Sequence, residues 1–303
     1  MTAAVNPETV DLPGAGLRLA ADRWAPVAGE AKGVVLLLHG GGQTRHSWRR
    51  TGERLARDGW VSYAMDLRGH GDSDWAADGA YGMTPMIDDL RSVVADLRRV
   101  ERGPLVLVGA SLGGKVALIA VGEDERFADC LVLVDIAVSV ERNGARRVRD
   151  FMRSAPNGFG SLEEAAEAIS AYNPHRRHSG NVDGLRKNLR MREGRWHWHW
   201  DPATLRMDER DPDGAESPVS EVIYARSQVA ARQITCPVLL VRGAESDVVS
   251  DAGVEEMREL IPHAAVVDVR DAGHMVAGDD NDIFTANLLG YLDEELTATR
   301  SQS

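Results

Sequence analysis

The stretch Leu105–Ala120, LVLVGASLGGKVALIA, decides the fold. An apolar run, LVLV, ends in Gly109-Ala110-Ser111-Leu112-Gly113, and an apolar helix-forming segment follows without a break. A strand with no polar alternation is buried on both faces, and a buried helix directly behind it requires a sharp turn. Only small residues two positions either side of Ser111 let strand and helix approach that closely. A serine at the apex of such a turn sits in a strained backbone conformation. Its hydroxyl projects from the sheet edge, beside the free N–H groups and positive dipole end of the helix. A glycine-rich turn with a capping serine matches G-x-S-x-G equally well. The conjunction of strand, motif and helix favours a nucleophile.

The same strand pattern recurs on both sides of this stretch. GVVLLLHG (33–40), VSYAMDL (61–67), CLVLVDIA (130–137), PVLLVRG (237–243) and AVVDVR (265–270) are short, apolar and nearly continuous. Helical spacing separates them, in SWRRTGERLARDG, where Gly59 stops the helix, and in MIDDLRSVVADLRRVERG. This alternation predicts an α/β fold with a doubly wound, mostly parallel sheet. It breaks over residues 139–232, which read as helices; in SLEEAAEAISAY, Ser161 and Glu164 form a capping-box pattern. The expected organisation is a core domain of residues 1–138 and 233–303 with a helical cap, 139–232, inserted between two strands of one sheet. No internal repeat and no low-complexity segment interrupts it.

A serine needs a base to take its proton and a third group to orient that base. VLLVRGAESDVVS places Asp247 shortly after a strand, and VVDVRDAGHMVAGDD places His274 after the last one, behind a glycine. Acyl transfer also needs donors for an oxyanion. In LLLHGGGQ the three glycines let the backbone N–H of Gly41 point at a substrate oxygen, with Gly42 as a substitute and the N–H of Leu112 as the second donor. His39 reads as an anchor of this loop, and Asp135, ending the strand LVLVD, is a rival acid.

Together LHGGG, MDLRGHGDSD, GASLGG, RGAESDVV and DAGHMV resemble the capped α/β-hydrolase family with a serine nucleophile, over roughly residues 15–138 and 233–298. The resemblance puts nucleophile, acid and base on Ser111, Asp247 and His274. It makes the segment Asp66–Ser73 a structural loop, so that Asp66 and Arg68 are not catalytic. Some relatives carry the acid one strand earlier, which is where Asp135 falls. The triple glycine is shared with lipase-type esterases, whose nucleophile motif usually differs from GASLGG. Esterase chemistry on a small or medium ester is therefore expected, without metal or organic cofactor. Lactonases, C–C bond hydrolases, perhydrolases, acyltransferases and ligand-binding sensors share the same machinery. Epoxide hydrolases and haloalkane dehalogenases attack through an aspartate, which position 111 does not supply.

Inside the cap, GRWHWHWDP (194–202) alternates three tryptophans with His197 and His199. A zinc site there lacks a third and fourth ligand at metal-binding spacing. The alternating tryptophans are expected to pack the cap, with Trp198 the candidate to line an apolar pocket above Ser111. The net charge of −12 disfavours nucleic acid and anionic lipid as partners, leaving a small-molecule acyl substrate. The N-terminus has no basic segment followed by an apolar run, and no stretch has the length of a membrane span. Cys130 and Cys236 each open an apolar run and read as buried thiols, which suits the cytoplasm. Composition is silent on oligomeric state.

Overall fold

A computed structural model describes residues 5–172, 182–208, 218–269 and 282–300. The elements in chain order begin with β1 (Glu8–Pro13), β2 (Arg18–Trp24), β3 (Val34–Leu38), α1 (Arg49–Arg57), β4 (Val61–Met65) and α2 (Met83–Val100). Next come β5 (Leu105–Ala110), α3 (Ser111–Glu123), β6 (Cys130–Val134), α4 (Arg142–Arg153) and α5 (Leu162–Tyr172). The chain then forms β7 (Leu189–Arg192), β8 (Arg195–Trp198), α6 (Pro218–Ala231), β9 (Val238–Gly243), α7 (Asp251–Leu260), β10 (Ala265–Val269) and α8 (Asp282–Arg300).

Eight strands form one sheet in the order β1-β2-β4-β3-β5-β6-β9-β10. From β4 to β10 every pairing is parallel, and β1 and β2 add an antiparallel edge. The central strands are apolar at every position because both faces are covered. Leu36, Leu38, Leu107, Leu131, Leu133 and Leu240 pack with α2, α3 and α7. Their neighbours Val35, Leu37, Val106, Val108, Val132 and Val241 pack on the other face with α1 and α8. Each such buried side chain contributes about 1.5–3 kcal/mol relative to exposure, and this two-sided burial places the sheet at the centre of the core.

Two features depart from the expected pattern. The N-terminal hairpin β1–β2 carries too little apolar alternation to announce itself; in β2 the buried residues are Leu19, Ala20, Ala21, Asp22 and Trp24, so a carboxylate and the partly buried Arg23 interrupt the apolar run. The chain between β6 and β9 is not purely helical, because Leu189–Arg192 and Arg195–Trp198 pair as an antiparallel hairpin. Its two-residue turn, Glu193-Gly194, has φ of 49° and 77°, the mirror-image turn that matches strand twist. The indoles of Trp196 and Trp198 share one face of β8 by the two-residue period of a strand and pack on Phe159, Leu162, Ala165 and Leu189. The α5 start follows the sequence pattern: Ser161 Oγ accepts from Glu164 N, and the Glu164 carboxylate reaches back to Gly160 N. The last helix of the segment, α6, returns to the sheet domain. Gly122 of α3 meets its Ala230 so closely that a Cβ there would lie 2.1 Å from the Ala230 carbonyl oxygen.

Among the described residues no helix is long and apolar enough to cross a membrane. Cys130 and Cys236 are free thiols.

Candidate active site

Ser111 stands at the apex of the β5–α3 turn with φ +46°, the left-handed region that costs a non-glycine residue about 1–2 kcal/mol. The flanking glycines are required by distance. A Cβ at Gly109 would lie 2.4 Å from Gly114 Cα, and one at Gly113 would lie 2.7 Å from the His39 carbonyl oxygen. Strand, helix and the end of β3 therefore converge behind the serine, whose side chain meets solvent at the floor of a cleft.

The opposite lip of the cleft is the glycine loop after β3. Gly42 takes φ +74°, and Gln43 N donates to Gly40 O at 3.1 Å to close the turn. Two buried imidazoles hold this loop. Leu67 N donates to His39 Nε2 at 3.0 Å, so the proton of His39 is on Nδ1 and donates to Gly40 O at 2.8 Å. Gly42 N donates to His70 Nε2 at 3.2 Å, and the Nδ1–H of His70 donates to Arg68 O at 3.0 Å. The Gly42 N–H is thus engaged by His70, while Gly41 faces Leu112, whose Cδ2 would lie 3.9 Å from a Cβ at Gly41. Asp66 and Arg68, which the resemblance makes structural, are both held in buried ion pairs. Buried Arg45 pairs with Asp22, Asp66 and Asp72, and Arg68 forks onto Asp89 at 2.5 and 2.6 Å.

The cleft, about 70 Å³, is closed from above by the segment between β6 and β9. Val148, Phe151 and Met152 come from α4, Tyr172 from the end of α5, and Trp198 and Trp200 from the tryptophan–histidine run. Phe151 stacks on Tyr172 at 4.2 Å and meets the edge of Trp198 at 5.6 Å. Trp198 therefore both packs within the segment between β6 and β9 and lines the cleft, whereas Trp196 lies under Arg186 at 4.8 Å. Trp200, Phe151, Met152 and Tyr172 escape a sequence reading. Phe151 and Met152 sit in a basic helix, ARRVRDFMR, whose register toward Ser111 depends on how the cap folds back.

The two candidate acids have different surroundings. Asp135 follows β6 next to Ser111, since Ala110 and Val134 are register partners. It is wholly buried, has φ +48°, and accepts from Gly243 N at 3.2 Å and Ser246 Oγ at 2.9 Å. Asp247 is 41% exposed and receives both Nε and Nη2 of Arg147, at 2.6 and 2.8 Å. His274 lies outside the described residues.

The chain matches the family model for the alpha/beta hydrolase fold over residues 33–280. It belongs to the α/β-hydrolase fold family. This α/β hydrolase is 28% identical over 270 residues to an esterase of Mycobacterium tuberculosis, covering 86% of this chain and 82% of that protein. The crystal structure of that esterase aligns with a TM-score of 0.69, over 95% of this chain and 91% of the other at 27% identity. A 2-(acetamidomethylene)succinate hydrolase of Mesorhizobium japonicum is 27% identical over 236 residues, or 78% of this chain and 80% of its own.

In this hydrolase Lys115, one helical turn after Ser111, is also buried. Its Nζ donates to Ala137 O and Val138 O, both at 2.7 Å, so α3 is clipped to the segment that follows Asp135. Burial drives the amine down to about 7, against the opposing pull of Glu256. Burial also holds three imidazoles neutral: His39 is lowered to about 4, His70 to about 3 and His199 to about 4. An unfolded chain protonates histidine near pH 6.5, whereas these folded groups resist. Their contribution is complete above pH 6.5 and is lost as pH falls toward 4. Three such groups predict a fall in stability of up to about 4 kcal/mol per pH unit in that window. Thermal melts between pH 7.5 and 4.5 should show a steep decline. A constant Tm across the range would contradict three buried, neutral imidazoles.

Proposed function

We propose that the protein is a serine carboxylesterase for esters of small, apolar acyl groups. The observation that carries this reading is Ser111, at positive φ on a helix N-terminus, facing a glycine loop across a narrow aromatic cleft. In the proposed reaction Ser111 Oγ attacks the carbonyl carbon while His274 takes its proton. The N–H groups of Gly41 and Leu112 stabilise the oxyanion, and collapse expels the alcohol, protonated by His274. Water, deprotonated by His274, then releases the acid and restores the serine. The orienting acid in this scheme is Asp135, because its carboxylate is sequestered from solvent and aligned by Gly243 N and Ser246 Oγ. Asp247, the acid that the resemblance assigns, also holds Arg147 at the surface and is the alternative orienting acid. The two free thiols support a reducing compartment, and we place the enzyme in the cytoplasm.

The lining of the cleft sets the expected substrate range. The apolar walls that Met152 and Trp198 give the cleft suit a short acyl group of two to four carbons. Initial rates on p-nitrophenyl acetate, butyrate, hexanoate and octanoate should peak at two to four acyl carbons. Met152 touches the Gly42 position, with Cε 3.2 Å from where a Cβ would stand. Met152→Ala should therefore move the optimum at least two carbons longer, with about a tenfold gain on hexanoate. A wild-type optimum at octanoate, or failure of a fluorophosphonate probe to label Ser111 in an enzyme that hydrolyses none of the series, would overturn the assignment.

A further inference from the structure

The turn Leu67–Asp74 contributes no side chain to the described cleft wall, yet it touches both halves of the site. On one side His70 Nε2 receives the N–H of Gly42 at 3.2 Å, and its ring lies 5.1 Å from that of His39, which receives Leu67 N and donates to Gly40 O. The glycine loop is thereby fixed at its Gly40 carbonyl and at its Gly42 amide, and Gly41 lies between these two points. On the other side the same turn bonds the end of the tryptophan–histidine run. Gly71 N donates to His199 O and Asp201 N donates to Gly69 O, both at 2.7 Å, and His70 bridges Trp200 as an isolated antiparallel pair. Tyr81 donates its hydroxyl to Asp201 at 2.5 Å and steadies that contact. Trp200 is a wall of the cleft.

We propose that His70 is a positioning residue of the reaction: through its bond to Gly42 N it sets the direction of the Gly41 N–H and holds the oxyanion loop in register with Trp200. The inference rests on the esterase reading of Ser111. Its physical content is the single acceptor at Nε2. A backbone amide has one hydrogen to give, and a Gly42 amide that lost His70 would turn toward the cleft or toward water and carry the Gly41 peptide with it. A donor misplaced by about 1 Å weakens stabilisation of a developing charge far more than it weakens binding of a neutral ester. The effect therefore falls on kcat and spares KM.

Two near-isosteric variants separate the acceptor from the bulk of the ring. In His70→Gln the side-chain oxygen reaches the Nε2 position and accepts from Gly42 N, whereas His70→Met fills the space without a strong acceptor. Rates on p-nitrophenyl butyrate, normalised to Ser111 sites titrated with a fluorophosphonate, should fall about 10- to 100-fold in kcat for His70→Met, with KM within threefold of wild type. His70→Gln should stay within threefold in both. Wild-type kcat in His70→Met, or an equal loss in the two variants, would overturn the proposal, because a merely structural histidine loses Tm without a selective loss of kcat per titrated site. If His70→Met does not accumulate as folded protein, His70→Gln decides alone: turnover near wild type upholds the acceptor role and a large fall overturns it. A wild-type enzyme that neither hydrolyses the ester nor labels at Ser111 would instead remove the esterase reading on which the comparison stands.

Discussion

Ser111→Ala should fold as the wild type does and lose about 10⁴- to 10⁶-fold in kcat on any ester the enzyme hydrolyses, because the machinery acts as a unit around one oxygen. The backbone supplies a second, independent reading of the same position. At φ +46° both serine and alanine are strained, whereas glycine adopts this region freely. Ser111→Gly should thus be as inactive as Ser111→Ala and more stable than either, by about 1 kcal/mol once the added flexibility of the unfolded chain is set against the relieved strain. Rates and thermal melts on the three proteins measure both. Activity above about 1% in Ser111→Ala would remove the serine from the chemistry. An active alanine variant and a destabilised glycine variant together would make the turn an ordinary cap. The expected pattern, inactive but stabilised, is that of strain kept at one residue for the sake of its hydroxyl.

Much of this site was legible in the sequence because its parts are set by local backbone demands. The elbow needs Gly109 and Gly113 because a Cβ at either would lie within 2.7 Å of neighbouring backbone, and the same need writes a readable motif. The parallel sheet was legible for a similar reason, since burial on two faces removes the polar alternation from β3, β5, β6 and β9. What was not legible depends on distant pairing. The roles of His39 and His70 follow from amides at Leu67 and Gly42, and no spacing rule connects those positions. The hairpin β7–β8 is short and stands outside the main sheet. Its strands, LRMR and RWHW, alternate polar with apolar residues at the period of a strand, but only over four residues each, too short a run to stand out beside the helical segments around them. Trp198 was recognisable as a candidate wall only from its density of neighbours in sequence. Trp200, two residues on, lines the same cleft because of the bond between Gly71 and His199.

Two aspartates compete for the orienting role, and their asparagine variants separate them. Asp135→Asn should reduce kcat about 10³- to 10⁴-fold, since an amide in place of the carboxylate presents N–H where the imidazole must donate and leaves the imidazolium unstabilised. Asp247→Asn should stay within about tenfold, its main effect being loss of the surface pair with Arg147, which is worth about 1 kcal/mol or less at that exposure. In RGAESDVVS the serine and the aspartate are adjacent, and which of them faces inward is set by the turn closed by Ser246 N on Gly243 O. Ser246 faces inward: its hydroxyl donates to Asp135 and accepts from Val248 N and Val249 N. Ser246 of the loop after β9 thus bonds the carboxylate that follows β6, and Lys115 ties the Ala137 and Val138 carbonyls to α3. Matched kcat values for the two asparagine variants, on enzyme titrated at Ser111, decide between them. A collapse in Asp247→Asn with Asp135→Asn nearly intact would return the acid to β9 and leave Asp135 as a buried anchor. Loss in Asp135→Asn alone would mean that this chain moved its acid one strand inward and kept the old loop as its support.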